Sequence, residues 1–164
     1  MKTRLFLMMG CPGSGKSTFI EKNMSMFNSP KIISRDKIRF SLLKEGDDYF
    51  SKENEVFKRF IKDINNSLNR GYGDTIVDAT HISQGSRRKL LNAVQSNYDE
   101  VIVIWVKVPL SIALERNKGR DGLSLVPEDS IRNMHHNLTK PCKEEGIDKL
   151  WIVTASGDIK RELL

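Results

Sequence analysis

Gly10-Cys11-Pro12-Gly13-Ser14-Gly15-Lys16-Ser17 decides how this chain of 164 residues is read. The stretch satisfies G-x-x-x-x-G-K-[ST] at every fixed position. Its glycines let the backbone curl until several N–H groups point at one centre. A helix that starts directly after it adds a positive dipole end to the same place. Lys16 then sets a point charge on the β and γ phosphates of a nucleoside triphosphate. Ser17 offers a hydroxyl to Mg2+, a hard ion that prefers oxygen. Gly10 to Ser17, with Thr18 behind them, are thus the expected nucleotide site.

Working outward, Leu5 to Met9 is a short apolar run that enters the loop as a buried strand. Gly15 to about Met26 reads as the following helix. Lys31 to Ser34 reads as a second strand and Asp36 to Leu43 as a helix. Lys44 to Ser51 is polar and irregular. Glu53 to Arg70 is the clearest helix, with Val56, Phe57, Phe60, Ile61, Ile64 and Leu68 in one apolar stripe. Gly71 and Gly73 end it. Thr75 to Val77 forms a third strand that closes on Asp78, and Arg87 to Ser96 reads as helical. Val101 to Val108 is almost wholly apolar, as a strand buried on both faces should be. Pro109 and Pro127 open two further helices, the second carrying Ile131, Met134 and Leu138 on one side. Leu150 to Val153 reads as the last strand. This alternation predicts a three-layer α/β fold with a mostly parallel five-stranded sheet. The expected domain is single, spanning residues 1–164, with a small lid at about 117–126.

Composition narrows the class. At 38% apolar and 29% charged, the chain is expected to fold rather than stay disordered. No apolar run approaches the roughly 20 residues that cross a membrane, so no membrane partner and a cytoplasmic place are expected. Cys11 and Cys142 lie far apart, without metal-ligand spacing, and read as structural. The formal charge of +6, from 27 Lys and Arg against 21 Asp and Glu, favours a polyanionic partner. A homo-oligomer is compatible with all of this.

Three further groups carry chemistry. Ser34-Arg35-Asp36-Lys37-Ile38-Arg39 follows the second strand, whose carboxyl end should face the ligand crevice. Asp36 and Arg39, three apart, share a helix face. Such a carboxylate accepts a hydroxyl proton while the arginine holds a substrate phosphate; the competing role for Asp36 is a helix cap. Asp78-Ala79-Thr80-His81 ends the third strand. Asp78 there orients Mg2+ or its water, or else caps a turn with Thr80. His81 reads as a turn residue. Arg116 and Arg120 flank the lid, either to neutralise the transferring phosphoryl group or as part of a solvated basic loop. His135 and His136 are adjacent on one helix and point apart, which argues against a metal site.

The ordered combination resembles the kinase domain of bacteriophage polynucleotide 5′-kinase and its relatives. The resemblance rests on residues 10–18, on Arg35-Asp36-x-x-Arg39, on Asp78 and Thr80 followed by Arg87-Arg88, and on Arg116-Asn117-x-x-Arg120 with Val126-Pro127 beyond. It implies transfer of the γ-phosphoryl of ATP to a 5′-hydroxyl of DNA or RNA. Lys16 and Ser17 would bind the triphosphate and metal. Asp36 would be the general base, Arg39 the clamp on a 3′-phosphate and Arg120 the lid arginine spanning donor and acceptor. In the phage enzyme an acidic residue directly precedes the threonine, whereas here Ala79 intervenes. No D-x-D-x-T phosphatase signature occurs, so no 3′-phosphatase activity is expected. A kinase of a hydroxylated base in DNA and a nucleoside or other small-molecule kinase share this donor site. A nucleotide switch would have no use for a base at Asp36. Lys44 to Glu55 is the expected acceptor region, where Tyr49 and Phe50 either stack on a base or pack.

Overall fold

The computed structural model describes residues 1–71, 73–95 and 97–164, and the backbone alone of Asn69. Its frame is one sheet of order β2-β3-β1-β4-β5-β6. The strands are β1 (Arg4–Met9), β2 (Pro30–Ser34), β3 (Asp74–Asp78), β4 (Glu100–Val106), β5 (Lys149–Val153) and β6 (Ile159–Leu163). β1 to β5 run parallel. β1 lies in the middle, and its residues from Leu5 to Met9 are 0–1% exposed. A parallel strand covered on both faces has to be apolar throughout, which accounts for the run before the loop.

Alternation along β1 divides the core. Leu5, Leu7 and Met9 face α3 (Glu53–Ser67) and α4 (Gln84–Ala93), meeting Val56, Phe60, Ile64 and Leu90. Phe6 and Met8 face the opposite layer, with Phe19 and Ile20 of α1 (Lys16–Lys22) and Phe27. The remaining helices are α2 (Arg35–Leu42), α5 (Leu110–Lys118) and α6 (Glu128–His136).

Several boundaries differ from the sequence reading. The sheet has a sixth strand, and Leu150 to Val153 is not the last. β6 pairs antiparallel with β5, Val153 opposite Ile159 and Lys149 opposite Leu163. Ile159-Lys160-Arg161-Glu162-Leu163 has no apolar run because it is an edge, where charge keeps other strands away. α1 stops at Lys22, short of Met26, because the Asn23 side chain donates to the Phe19 carbonyl at 2.8 Å. α4 starts earlier than Arg87: Ser83 and Ser86 form a reciprocal capping box. Its expected last residue, Ser96, lies outside the described residues. β4 ends at Val106, and Lys107 to Pro109 leads away to α5, with Pro109 at its N-cap.

One polar group crosses the apolar layer. Arg87 is fully buried, and its guanidinium donates to both carboxylate oxygens of Glu145 at 2.7 and 3.2 Å. It also donates to the His81 carbonyl at 3.0 Å and the Thr139 hydroxyl at 3.3 Å. Arg87 therefore ties the turn after β3 to the segment after α6. Removing one partner strands a buried charge. Arg87→Met is expected to cost about 3–5 kcal/mol of unfolding free energy by urea titration, and Arg87→Met/Glu145→Leu to recover part of that loss.

Candidate active site

The carboxyl ends of β1, β2 and β3 open on one side of the sheet, the side on which open α/β folds bind ligands. The loop that leaves β1 is very close-packed. A Cβ on Gly13 would stand 2.5 Å from the Ala113 carbonyl oxygen, and one on Gly10 2.8 Å from that of Val106. Only glycine fits, so the backbone itself forms the surface of the loop. Cys11 and Ser14 turn inward, 4% and 2% exposed. Cys11 packs with Ala113, Leu114, Val126 and Ile131, and burial raises its thiol pKa. It is a core residue, not a reactive one.

Lys16 folds over the loop, its Nζ 3.0 Å from the carbonyls of both Gly10 and Cys11. Burial lowers the pKa of this ammonium, while Asp78 and Asp36 pull it up. Arg116 buttresses the other side, donating to the Ser14 carbonyl at 3.1 Å and the Gly13 carbonyl at 3.4 Å. The Ser17 hydroxyl donates to Asp78 Oδ2 at 2.7 Å, so two oxygens lie together beside the loop. Asp78 is thereby engaged with Ser17 across the strand ends.

A cleft of about 270 Å³ joins the loop to the end of β2, and Gly13, Lys16, Ser17, Asp36, Asp78 and Arg120 all line it. The helix cap at α2 is Ser34, whose hydroxyl accepts from the Lys37 N–H at 3.2 Å. Asp36 is thus left free for other contacts. Its Oδ1 accepts from Arg39 Nη1 and from the Tyr49 hydroxyl, the latter at 3.0 Å. Arg39 is only 5% exposed and also donates to Glu53 Oε1 at 2.8 Å. Burial alone would lower its pKa, yet Glu53, Tyr49 and Asp36 together leave it raised. Glu53 Oε2 accepts from Arg35 at 3.0 Å, which closes a chain of alternating charge around the cleft.

Arg35, Tyr49 and Glu53 are site residues whose part the sequence reading did not assign. Tyr49 neither stacks in the open nor simply packs: the Arg39 guanidinium lies 4.6 Å from its ring centre, and its hydroxyl is spent on Asp36. Burial, followed by the nearby Asp36 charge, raises its pKa. Phe50, packed edge-on to Tyr49 at 4.7 Å, is the more exposed ring. No periodicity links residue 49 or 53 to Asp36; the link exists only once α3 has docked against α2.

Arg120 borders a second hollow of about 340 Å³ as well, shared with Arg116, Thr18, Val108, Thr154 and Gly157. It therefore stands between the two compartments of the site. The segment expected to form a lid, residues 117–126, is joined across its two ends. Asn117 is buried, donating to the Val126 carbonyl at 2.8 Å and accepting from the Val126 N–H at 3.1 Å. Its amide acts as a backbone would and pins both ends of the 117–126 segment. No group of three or more His, Cys, Asp and Glu residues placed to hold a metal occurs among the described residues. No helix among the described residues is long and apolar enough to cross a membrane.

Comparison with known proteins fits this geometry. Residues 5–141 match the model of an AAA domain family. The chain belongs to that family. It is 30% identical over 141 residues to L-seryl-tRNA(Sec) kinase of Methanococcus maripaludis, covering 84% of this chain and 53% of that protein. It is 27% identical over 159 residues to a putative bifunctional polynucleotide phosphatase/kinase of Acanthamoeba polyphaga mimivirus, covering 93% of this chain and 34% of that protein. The chain thus spans about half of the first relative's length and a third of the second's. A solved structure of the Pnkp1/Rnl/Hen1 RNA repair complex superposes with a TM-score of 0.69 at 19% identity, over 99% of this chain and 48% of that one. The chain is thus an AAA-domain protein with a P-loop kinase fold, a fold that implies nucleotide binding.

His81 sets the turn between β3 and α4 beneath this cleft. It takes φ +42°, its Nδ1 lies 2.7 Å from the Met8 carbonyl, and its ring stacks on Phe60. Burial lowers its pKa to about 4, so the folded protein keeps it neutral. The unfolded chain, with an ordinary value near 6.5, takes up the proton first as pH falls. Stability is then complete above about pH 6.5 and is lost progressively towards pH 4, by of the order of 3 kcal/mol. His81→Asn, which tolerates positive φ, should flatten that part of the pH dependence of Tm.

Proposed function

We propose that this chain is an ATP-dependent kinase that transfers the γ-phosphoryl group to a 5′-hydroxyl of DNA or RNA. The carrying observation is that the phosphate loop and the Asp36–Arg39 pair line one cleft, with Arg120 at its edge. A nucleotide switch needs no carboxylate facing an acceptor; a transferase does. In this reading Asp36 Oδ1 is held by Arg39 and Tyr49, and Oδ2 takes the hydroxyl proton. The acceptor oxygen bonds to the γ-phosphorus as the bond to the leaving diphosphate breaks, and Lys16 and Arg120 balance the charge. Arg39, fixed by Glu53, is the clamp for a phosphate of the acceptor.

ATP would lie on the loop, with its base towards the hollow between Arg116 and Thr154. The Ser17 hydroxyl and Asp78 carboxylate are hard oxygen donors in contact and fit Mg2+. When bound, that ion neutralises charge on the phosphates. The likeness to a polynucleotide phosphatase/kinase and to a seryl-tRNA kinase supports a hydroxyl borne on nucleic acid. The second supplies the alternative reading: a hydroxyl carried on an RNA adduct rather than at a 5′ end.

Labelled ATP with Mg2+ and three acceptors separates these readings: a 5′-hydroxyl oligonucleotide, a seryl-tRNA and a free nucleoside. Label in the oligonucleotide is expected, and label confined to the nucleoside would reject both nucleic-acid readings. Asp36→Asn should retain ATP binding and lose transfer by about 10²–10⁴-fold; near-normal turnover would remove the base role. Arg39→Ala should raise the KM for a 3′-phosphorylated acceptor by about 10–100-fold, as loss of a charge-assisted contact does.

A further inference from the structure

Glu53, the first residue of α3, lines the cleft, and Phe57 lies one turn further along the helix. Two cations share the Phe57 ring. Arg35 lies 5.7 Å from its centre and Lys89 of α4 lies 4.5 Å from it. Arg35 has Glu53 as its partner. Lys89 has no carboxylate within ion-pair distance among the described residues.

The contact between the helices continues away from the cleft, where the Asn65 amide donates to the Ala93 carbonyl at 3.4 Å. Phe57, Ile61 and Asn65 therefore mark the side of α3 that meets α4. Lys58 and Lys62 each stand one residue beyond that line, on the outer rim, and both are exposed. α4 contributes exposed Lys89 to the facing rim and contains no acidic residue. Glu55 offsets one charge on the α3 side. Cations gathered along a groove repel one another unless an anion lies among them. The groove starts at Arg35, which is also a wall of the acceptor cleft. The Phe57 ring already carries two cations, so the feature suits a backbone of phosphates rather than a stacked base.

We propose that the groove between α3 and α4 carries the sugar–phosphate backbone of a nucleic-acid acceptor, leading it out of the cleft past Arg35, Phe57 and Lys89. This rests on the reading that the acceptor is a nucleic acid. Recognition is electrostatic and independent of sequence.

The test compares wild type with Lys58→Gln/Lys62→Gln/Lys89→Gln, three exposed changes outside the cleft. Binding of a fluorescent single strand of about twelve nucleotides is followed by anisotropy across a salt series, without ATP. The variant should bind about tenfold or more weakly at ~0.1 M salt, and its log Kd against log salt should be shallower by about 2, three lost phosphate contacts at roughly 0.7 each. KM for a 3′-phosphorylated nucleoside, too short to reach the groove, should stay within about twofold. Unchanged Kd and salt slope would overturn the groove, as would an equal rise in KM for the short acceptor. Absence of transfer to any nucleic acid would instead sink the kinase reading, while the binding series still decides the groove on its own.

Discussion

The site depends on a close approach between backbones. Gly10 and Gly13 bring the loop against the carbonyls of Val106 and Ala113 with no space for a side chain. This contact joins the end of β1 to the end of β4 and the middle of α5. Inside the curl, Cys11 adds an apolar plug shared with Val126 and Ile131. The loop thus has a floor that includes Val126, the residue clasped by Asn117. Arg116 completes the brace by donating to two loop carbonyls. A loop held from below and from the side keeps its N–H groups fixed for an incoming phosphate.

The opposite wall is built from charge rather than packing. Asp36, Arg39, Glu53 and Arg35 alternate in sign, and Tyr49 sits on the Asp36–Arg39 pair. Each group restrains the next, so the Asp36 carboxylate is held in place by its own neighbours. The cost of burying Arg39 is offset by two carboxylates and a phenol. The two walls come from widely separated stretches of chain, yet both hang from the carboxyl ends of neighbouring strands.

Much of this was legible in the residues, and the gaps have physical causes. The strand–loop–helix order and the apolar stripe of α3 follow from local rules, and they place β1, α1 and α3 correctly. Lys16, Ser17, Asp36, Arg39, Asp78 and Arg120 were each read from motif or spacing, and all of them border the same cleft. β6 was missed because an edge strand with a charged face lacks the apolar signal of the interior. Glu53 and Tyr49 fell within the expected acceptor region, but their bonds to Arg39 and Asp36 were not foreseen because those partners lie 14 and 13 positions away, across a tertiary contact that no periodicity encodes. The capping role weighed for Asp36 belongs to Ser34, two positions upstream.

The Asn117–Val126 clasp has a thermodynamic side. By joining residues 117 and 126 directly, it leaves only the intervening strap free to rearrange, with Arg120 on it. Ordering entropy grows with the number of residues that must be fixed. In the kinase reading proposed above, a strap cut this short would give up little disorder on settling over a polyphosphate, and more of the attraction between Arg120 and its anion would remain as net affinity.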